Sequence, residues 1–214
     1  MHYRNVLFDL DGTLTDPAMG ITRAVQYALA KTGINEPDLS KLLPFIGPPL
    51  QHSFMEIYHY PEDRAWEAVN AYREYFGTTG IYENERYPGI PELLQSLQQQ
   101  GRQLFVATSK PQVFADIVVK HFDLESWFTA IYGSELDGTR SDKGELISYV
   151  MATENLLPED TVMIGDRKHD IIGAQKNGIA AIGVGYGYGS TKELQEAGAG
   201  RIFNTVADLQ AGFA

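Results

Sequence analysis

The sequence contains no cysteine, so disulfide bonds, thiolate metal sites and a cysteine nucleophile are all excluded. Positive charge is also scarce: 17 Lys and Arg residues stand against 28 Asp and Glu residues, for a formal net charge of −11. Nucleic acid polymers and anionic membranes are held mainly by surplus basic side chains, so neither is expected as a partner. One small anion held in a local pocket is compatible with this balance.

Long apolar runs are missing as well. None approaches the roughly 20 residues that a membrane-spanning helix needs. A strand pattern begins within the first few residues, where a signal peptide would otherwise stand. We therefore expect a cytoplasmic protein, either a monomer or a homodimer. Its 214 residues allow one large domain, or a core with a smaller insertion.

Five short apolar runs predict buried strands, at residues 6–10, 104–108, 129–133, 162–165 and 180–185. Their hydrophobicity is nearly continuous, which is typical of parallel strands that are covered on both faces. A further short run, at 201–204, predicts a strand at the edge of the sheet. The glycine-rich stretch "GVGYGYG" (183–189) lacks the spacing of a dinucleotide-binding loop and predicts a bend after the last core strand.

Helical patterns separate the later strands, at residues 91–101, 111–122, 142–157 and 170–178. The third begins with a capping signal, Asp142 followed by Glu145. Strand followed by helix, several times over, predicts an α/β fold with a doubly wound parallel sheet, the Rossmann-like arrangement.

The rhythm is interrupted between residues 16 and 86, where the patterns are helical and no strand-like run occurs. The first of them places five apolar residues on one helical face: Ile21, Ala24, Val25, Ala28 and Leu29. We therefore expect an α/β core of residues 1–15 and 87–214, with an all-helical domain of residues 16–86 inserted after the first strand. Within the insert, "PFIGPP" (44–49) predicts a rigid loop.

Polar residues gather where the predicted strands end. In an open parallel sheet these ends share one edge, and ligands bind there. Buried carboxylates repel each other and are costly to desolvate unless a positive group lies between them. A cation site is therefore expected at this edge. The residues concerned are Asp9, Asp11, Thr108, Ser109, Lys110, Lys143, Asp166 and Asp170.

Simpler interpretations exist for several of these residues. A calcium loop starting at Asp9 is excluded, because its sixth position is Leu14 and its twelfth is Gly20, where Gly and Glu are needed. The hydroxyls at 108–109 are typical of a helix N-cap. Asp170 could equally cap the following helix or serve the metal site.

The order of these segments resembles the phosphatase branch of the haloacid dehalogenase superfamily. The matching motifs are "DLDGT" (9–13), "VATS" (106–109), "SDKGEL" (141–146) and "GDRKHD" (165–170), with a helical insert after the first. The resemblance spans essentially the whole chain and is greatest for phosphoglycolate phosphatase-like and 5′-nucleotidase-like members. Two positions depart from the common pattern: Ser109 replaces Asn, and Gly144 replaces Pro.

The resemblance implies a role for each motif residue. Asp9 would be the nucleophile that forms an aspartyl phosphate, and Asp11 the acid that protonates the leaving group and then activates water. Thr108 and Lys143 would bind the phosphoryl oxygens. Lys143 is preferred over its rivals, Lys110 and Lys168, because its motif matches.

The resemblance also implies a Mg²⁺ site and further substrate contacts. The metal would lie between Asp9, the backbone carbonyl of Asp11 and Asp166. Asp170 would be a further ligand or would position the lysine. The remaining substrate-binding candidates are Ser109, Gly47 and Arg23. An all-oxygen site suits this small, hard cation.

The function expected is Mg²⁺-dependent hydrolysis of a small phosphorylated metabolite, such as phosphoglycolate, a nucleotide monophosphate or a sugar phosphate. One alternative is a β-phosphoglucomutase-type mutase, which would use the same core residues and require glucose 1,6-bisphosphate. A second is a non-enzymatic phospho-acceptor module similar to response-regulator receiver domains. The chain is too long for that module, and the insert has no counterpart in it.

Overall fold

The computed structural model describes residues 1–214, which form two compact units: Met1–Asp16 with Arg86–Ala214, and Pro17–Glu85. The strands are β1 (Asn5–Phe8), β2 (Thr15–Asp16), β3 (Glu85–Arg86), β4 (Gln103–Pro111), β5 (Ala130–Ser134), β6 (Thr161–Gly165), β7 (Ala180–Val184) and β8 (Arg201–Phe203). The α-helices are α1 (Ala18–Lys31), α2 (Leu50–Tyr58), α3 (Glu62–Phe76), α4 (Ile90–Gln99), α5 (Gln112–His121), α6 (Lys143–Glu154), α7 (Lys168–Lys176), α8 (Thr191–Glu196) and α9 (Val206–Phe213).

The larger unit contains a six-stranded sheet in the order β5-β4-β1-β6-β7-β8, with every adjacent pair parallel. The α/β prediction and the parallel sheet are confirmed. The first strand lies between β4 and β6. The chain adds β4 and β5 on one side of β1, and then crosses to add β6, β7 and β8 on the other side. This reversal of strand order creates the crevice where α/β sheets bind ligands.

Strand register brings the ends of three strands level with one another. Phe8 is paired with Val106 of β4 and with Ile164 of β6. The residues that follow these three strands therefore emerge side by side at one edge of the sheet. The central strands β1 and β6 are buried on both faces, and Leu7, Phe105 and Met163 share one core face with residues of α6 and α7.

The end of β4 and the start of α5 differ from the sequence prediction. β4 continues to Pro111, three residues beyond its expected end, and its pairing with β5 shifts register between Ala107 and Pro111. Helix α5 therefore begins only at Gln112. The N-cap interpretation of residues 108–109 is wrong, since the strand carries these residues in an irregular segment. Such bulges often re-aim side chains next to active sites.

The smaller unit is built from α1, α2 and α3. The apolar face predicted for α1 is buried throughout. A 3₁₀ helix, Leu39–Phe45, takes up the first two residues of the predicted rigid loop, and Gly47 follows with a positive φ of 105°. The short strands β2 and β3 were not predicted, because two-residue strands carry too little periodicity to be recognised. No helix of the chain is long and apolar enough to span a membrane.

Candidate active site

Asp9 and Asp11 begin the turn that follows β1. The backbone N–H of Asp9 donates to the carbonyl of Ile164 at 2.9 Å, which extends the strand pairing by one step. Asp9 Oδ1 accepts a hydrogen bond from the backbone N–H of Leu10 at 2.8 Å. Both aspartates are buried, so their charges must be balanced inside the protein.

Lys143 is the first residue of α6, and it supplies one balancing charge. Its Nζ lies 2.9 Å from Asp9 Oδ1, 2.9 Å from Asp170 Oδ1 and 2.9 Å from the carbonyl oxygen of Ala107. The side chain is only 2% exposed. Burial disfavours the charged form, but Asp170 and Asp9 outweigh that effect and raise the pKa of Lys143. The ammonium group therefore stays charged against Asp9.

Asp170 uses its two carboxylate oxygens for two different contacts. Its Oδ2 accepts from the backbone N–H of Arg167 at 3.1 Å, as a capping residue of α7 would. Its Oδ1 holds Lys143, as described above. Burial, together with the repulsion of Asp9, raises the pKa of Asp170 even though Lys143 opposes the change. The capping role is therefore observed, and the same carboxylate positions Lys143.

Asp166 follows β6 and has no cationic partner of this kind. The side chain is completely buried. Its Oδ2 accepts from the backbone N–H of Tyr188 at 2.7 Å, and its Oδ1 has no hydrogen-bond donor. Burial, with repulsion from Asp170 and Asp9, raises the pKa of Asp166 well above 3.8. The local structure thus leaves one carboxylate oxygen available and one negative charge uncompensated.

Carboxylate oxygens of Asp9, Asp166 and Asp170 all lie within 4.8 Å of one another. Three acids share a single nearby ammonium group, that of Lys143, and Asp166 Oδ1 is an orphaned buried acceptor. Hard divalent cations take carboxylate and carbonyl oxygens as ligands. The donor set and the unbalanced charge therefore fit a metal ion at this cluster.

Asp11 is balanced by the lysine that sequence reasoning ranked as a rival. Lys110 Nζ lies 2.6 Å from Asp11 Oδ2, and both side chains are almost fully buried. Burial raises the pKa of Asp11, and the neighbouring Lys110 limits the rise. The two lysines have separate partners: Lys143 pairs with Asp9, and Lys110 with Asp11. The sequence did offer a signal for Lys110, because this residue lies two positions after Thr108, at the end of a predicted strand.

The structure places the other predicted substrate-binding residues in different surroundings. The buried Thr108 follows the regular part of β4, and its hydroxyl accepts from the N–H of Lys110 at 3.3 Å. The hydroxyl of Ser109 donates to the carbonyl of Ser141 at 3.0 Å. Gly47 and Arg23 belong to the smaller unit, where Arg23 forms an ion pair with Glu83.

Gly12 explains why the motif needs glycine after its second aspartate. Its φ is +83°, and a Cβ there would lie 2.6 Å from Cγ of Asp166. Any side chain would be strained in that conformation and would collide with the carboxylate. Glycine thus lets the turn after β1 approach Asp166 directly.

The family and the relatives that share this sheet, with buried acids and lysines at its carboxyl edge, show that the protein is a phosphoric monoester hydrolase. The chain belongs to the haloacid dehalogenase-like hydrolase family, whose model matches residues 6–184. The resemblance seen in the sequence motifs is thereby confirmed, and the relatives described next confirm the expectation of a phosphatase.

Known proteins of this family cover nearly the full chain. A 5′-nucleotidase of Pseudomonas aeruginosa is 60% identical over 195 residues, which are 91% of this chain and 88% of that protein. Tyrosine-protein kinase PtkA of Mycobacterium tuberculosis is 40% identical over 86% of this chain, which spans 62% of that protein. The crystal structure of a predicted phosphatase from Clostridium acetobutylicum has 50% identity and a TM-score of 0.98, covering 100% and 99% of the two chains.

Proposed function

We propose that the protein is a Mg²⁺-dependent phosphomonoesterase that works through an aspartyl phosphate on Asp9. The observation that carries the proposal is the buried cluster in which Lys143 bridges Asp9 and Asp170 beside the uncompensated Asp166. Phosphoryl transfer needs positioning and charge neutralisation more than covalent assistance, and this cluster offers both.

The metal would be held by Asp9, the backbone carbonyl of Asp11 and Asp166, with Asp170 close by. Its chemistry would be that of a Lewis acid that offsets the negative charge of the phosphoryl oxygens. Lys143 holds Oδ1 of Asp9, which orients the other oxygen of that carboxylate for attack on phosphorus. Thr108 would donate a hydrogen bond to a phosphoryl oxygen.

The reaction proceeds in two displacements. In the first, an oxygen of Asp9 bonds to phosphorus, the ester P–O bond breaks, and protonated Asp11 gives its proton to the departing alkoxide. In the second, Asp11 takes a proton from water, the water oxygen bonds to phosphorus, and the Asp9–phosphorus bond breaks to release phosphate. The raised pKa of Asp11 suits a group that must carry this proton at the start.

The substrate is proposed to be a nucleoside 5′-monophosphate, since the 60% identical relative is a 5′-nucleotidase. Residues Pro17–Glu85 form the unit inserted after the first strand. We propose that this unit acts as a cap domain, in which Gly47 and Arg23 contact the part of the substrate beyond the phosphate. Phosphoglycolate and sugar phosphates are the competing small esters.

Phosphate release from a panel of these esters, with Mg²⁺ and with EDTA, tests the proposal. We expect turnover only with Mg²⁺ and highest kcat/KM for a nucleoside monophosphate. Asp9→Asn should abolish turnover while the circular dichroism spectrum stays unchanged. Asp11→Asn should accumulate phosphorylated protein with p-nitrophenyl phosphate, whose leaving group needs little protonation. Wild-type turnover by Asp9→Asn would exclude the aspartyl-phosphate route.

A further inference from the structure

The segment of residues 185–189, here called the glycine–tyrosine loop, does more than bend the chain after β7. We propose that Tyr188 is a positioning residue: its backbone amide fixes the carboxylate of Asp166, and its hydroxyl ties the loop to Asp16. The inference rests on the proposed function, in which Asp166 holds the metal.

The amide contact decides how Asp166 is presented. Tyr188 N–H donates to Oδ2 at 2.7 Å, whereas Oδ1 has no donor in its buried surroundings. A hydrogen bond to one oxygen stops the carboxylate from rotating and leaves the other oxygen for a cation. Outer partners of this kind orient metal ligands, and losing one typically weakens metal binding by about 10- to 100-fold.

The loop also packs directly on the carboxylate. A Cβ on Gly187 would lie 2.5 Å from Asp166 Oδ2 and would meet the backbone carbonyl of Gly12 as well. No side chain fits between the loop and the turn after β1. The loop backbone therefore packs directly against the side chain of Asp166, which explains why glycine precedes Tyr188.

The side chains of the loop anchor it to the segment that follows β1. The hydroxyl of Tyr188 donates to Oδ1 of Asp16, and the hydroxyl of Tyr186 donates to the carbonyl of Thr13 at 3.0 Å. Tyr87 packs edge-on against Tyr186, with ring centroids 5.0 Å apart. Hydrogen bonds to a charged acceptor are the stronger kind. The contact with Asp16 is therefore the anchor that most firmly sets the position of the Tyr188 amide.

The test is direct titration of the metal-free, full-length protein with Mg²⁺ in a calorimeter. Two variants disturb the loop: Gly187→Ala crowds Asp166, and Tyr188→Phe removes only the hydroxyl. Two matched variants change the same residue types elsewhere. Gly200→Ala, outside the loop, places its Cβ 3.4 Å from the carbonyl oxygen of Ala181, an ordinary contact distance, and Tyr132→Phe loses a hydrogen bond to the carboxylate of Glu154.

We expect Gly187→Ala to weaken Mg²⁺ binding at least about tenfold, in line with the loss of an outer partner. Tyr188→Phe should weaken it by roughly threefold or more, since the amide remains but its anchor is lost. In the same variant, the Mg²⁺ concentration for half-maximal activity should rise by the same factor, with kcat at saturating Mg²⁺ close to that of the wild type. The matched variants should bind within about twofold of the wild type.

The outcomes separate this inference from the proposed function. Wild-type protein that binds no Mg²⁺ overturns both. Wild-type protein that binds Mg²⁺, while folded Gly187→Ala and Tyr188→Phe bind it equally well, overturns the positioning role alone. If Gly187→Ala does not fold, Tyr188→Phe decides: unchanged affinity in that variant overturns the inference.

Discussion

Removing the acid that the structure leaves unbalanced should stabilise the metal-free protein. Asp166 is completely buried, one of its oxygens has no donor, and the other has a single hydrogen bond. In Asp166→Asn the amide oxygen can still accept from Tyr188, and the new N–H groups would belong to a cluster that includes the carboxylates of Asp9 and Asp170. The substitution therefore removes a buried charge without removing its hydrogen bond.

The size of the effect follows from the orphaned oxygen. An unsatisfied buried polar group costs about 1–3 kcal/mol, and more when it is charged. For a chain of this length, 1 kcal/mol shifts Tm by about 2–4 °C. We therefore expect Asp166→Asn to melt about 2–12 °C above the wild type in EDTA at a pH above the folded-state pKa of Asp166.

The stability difference between the variant and the wild type should also depend on pH. Because the pKa of Asp166 is raised well above 3.8 in the fold, the folded state binds more protons than the unfolded chain between those two pKa values. Stability then falls as pH rises across that interval. The advantage of the variant should be complete above the folded-state pKa and should disappear as pH approaches 3.8.

Circular dichroism melts of both proteins, with EDTA and with saturating Mg²⁺, check these statements. Binding at 100 times Kd stabilises by about 2.7 kcal/mol, so Mg²⁺ should raise the Tm of the wild type and have much less effect on the variant. Asp137→Asn, at an exposed acid that accepts from Thr139 N–H at 2.9 Å, is the matched control. A variant less stable than the wild type in EDTA at a pH above the folded-state pKa of Asp166 would refute the reasoning.

Three further substitutions give distinct readouts. Lys143→Met should lower kcat by at least about 10²–10³-fold, since it removes a buried charge from the proposed phosphoryl site. Lys176→Met, at an exposed lysine, should leave kcat unchanged. Asp142→Ala removes the N-cap of α6 and should lower Tm by about 2–4 °C, for about 1 kcal/mol lost. Lys110→Met should raise the pKa of Asp11 further and move the alkaline limb of the kcat/KM profile to higher pH, because Lys110 limits the present rise.

Much of the site could be predicted because parallel strands end at the same edge of a sheet. That rule alone brings Asp9 and Asp166 together, although 157 positions separate them, and the register of β1 with β6 realises it. The helix-opening position of Lys143 was equally informative. Its motif match preferred it over Lys110 for binding the phosphoryl group, and the structure places its ammonium group 2.9 Å from Asp9.

The hydrogen-bond partners of these residues could not be predicted from the sequence in the same way. Tyr188 contacts Asp166 through its backbone N–H. Every residue except proline has this group, so the residue type does not reveal the contact. The available signal was glycine at 185, 187 and 189, directly after a core strand that ends at the acid-bearing edge. Alternate glycines there indicate close backbone approach, although their spacing does not match a dinucleotide-binding loop.

The charge balance of the site predicts an order of binding. Two lysines, Lys110 and Lys143, face four buried carboxylates, so the site is negative when all groups are ionised. A phosphate dianion entering it would meet further repulsion in a region of low dielectric. A divalent cation removes that excess, so it must bind before or together with the phosphate group.

Calorimetric titration with inorganic phosphate, the reaction product, tests this order without turnover. We expect measurable binding with saturating Mg²⁺ and at least about 100-fold weaker binding in EDTA, a difference of about 2.7 kcal/mol. Lys143→Met should weaken the Mg²⁺-supported binding, whereas Lys176→Met should not. Equal phosphate affinity with and without Mg²⁺ would show that the lysines alone neutralise the site. The uncompensated charge of Asp166 would then have no part in substrate binding.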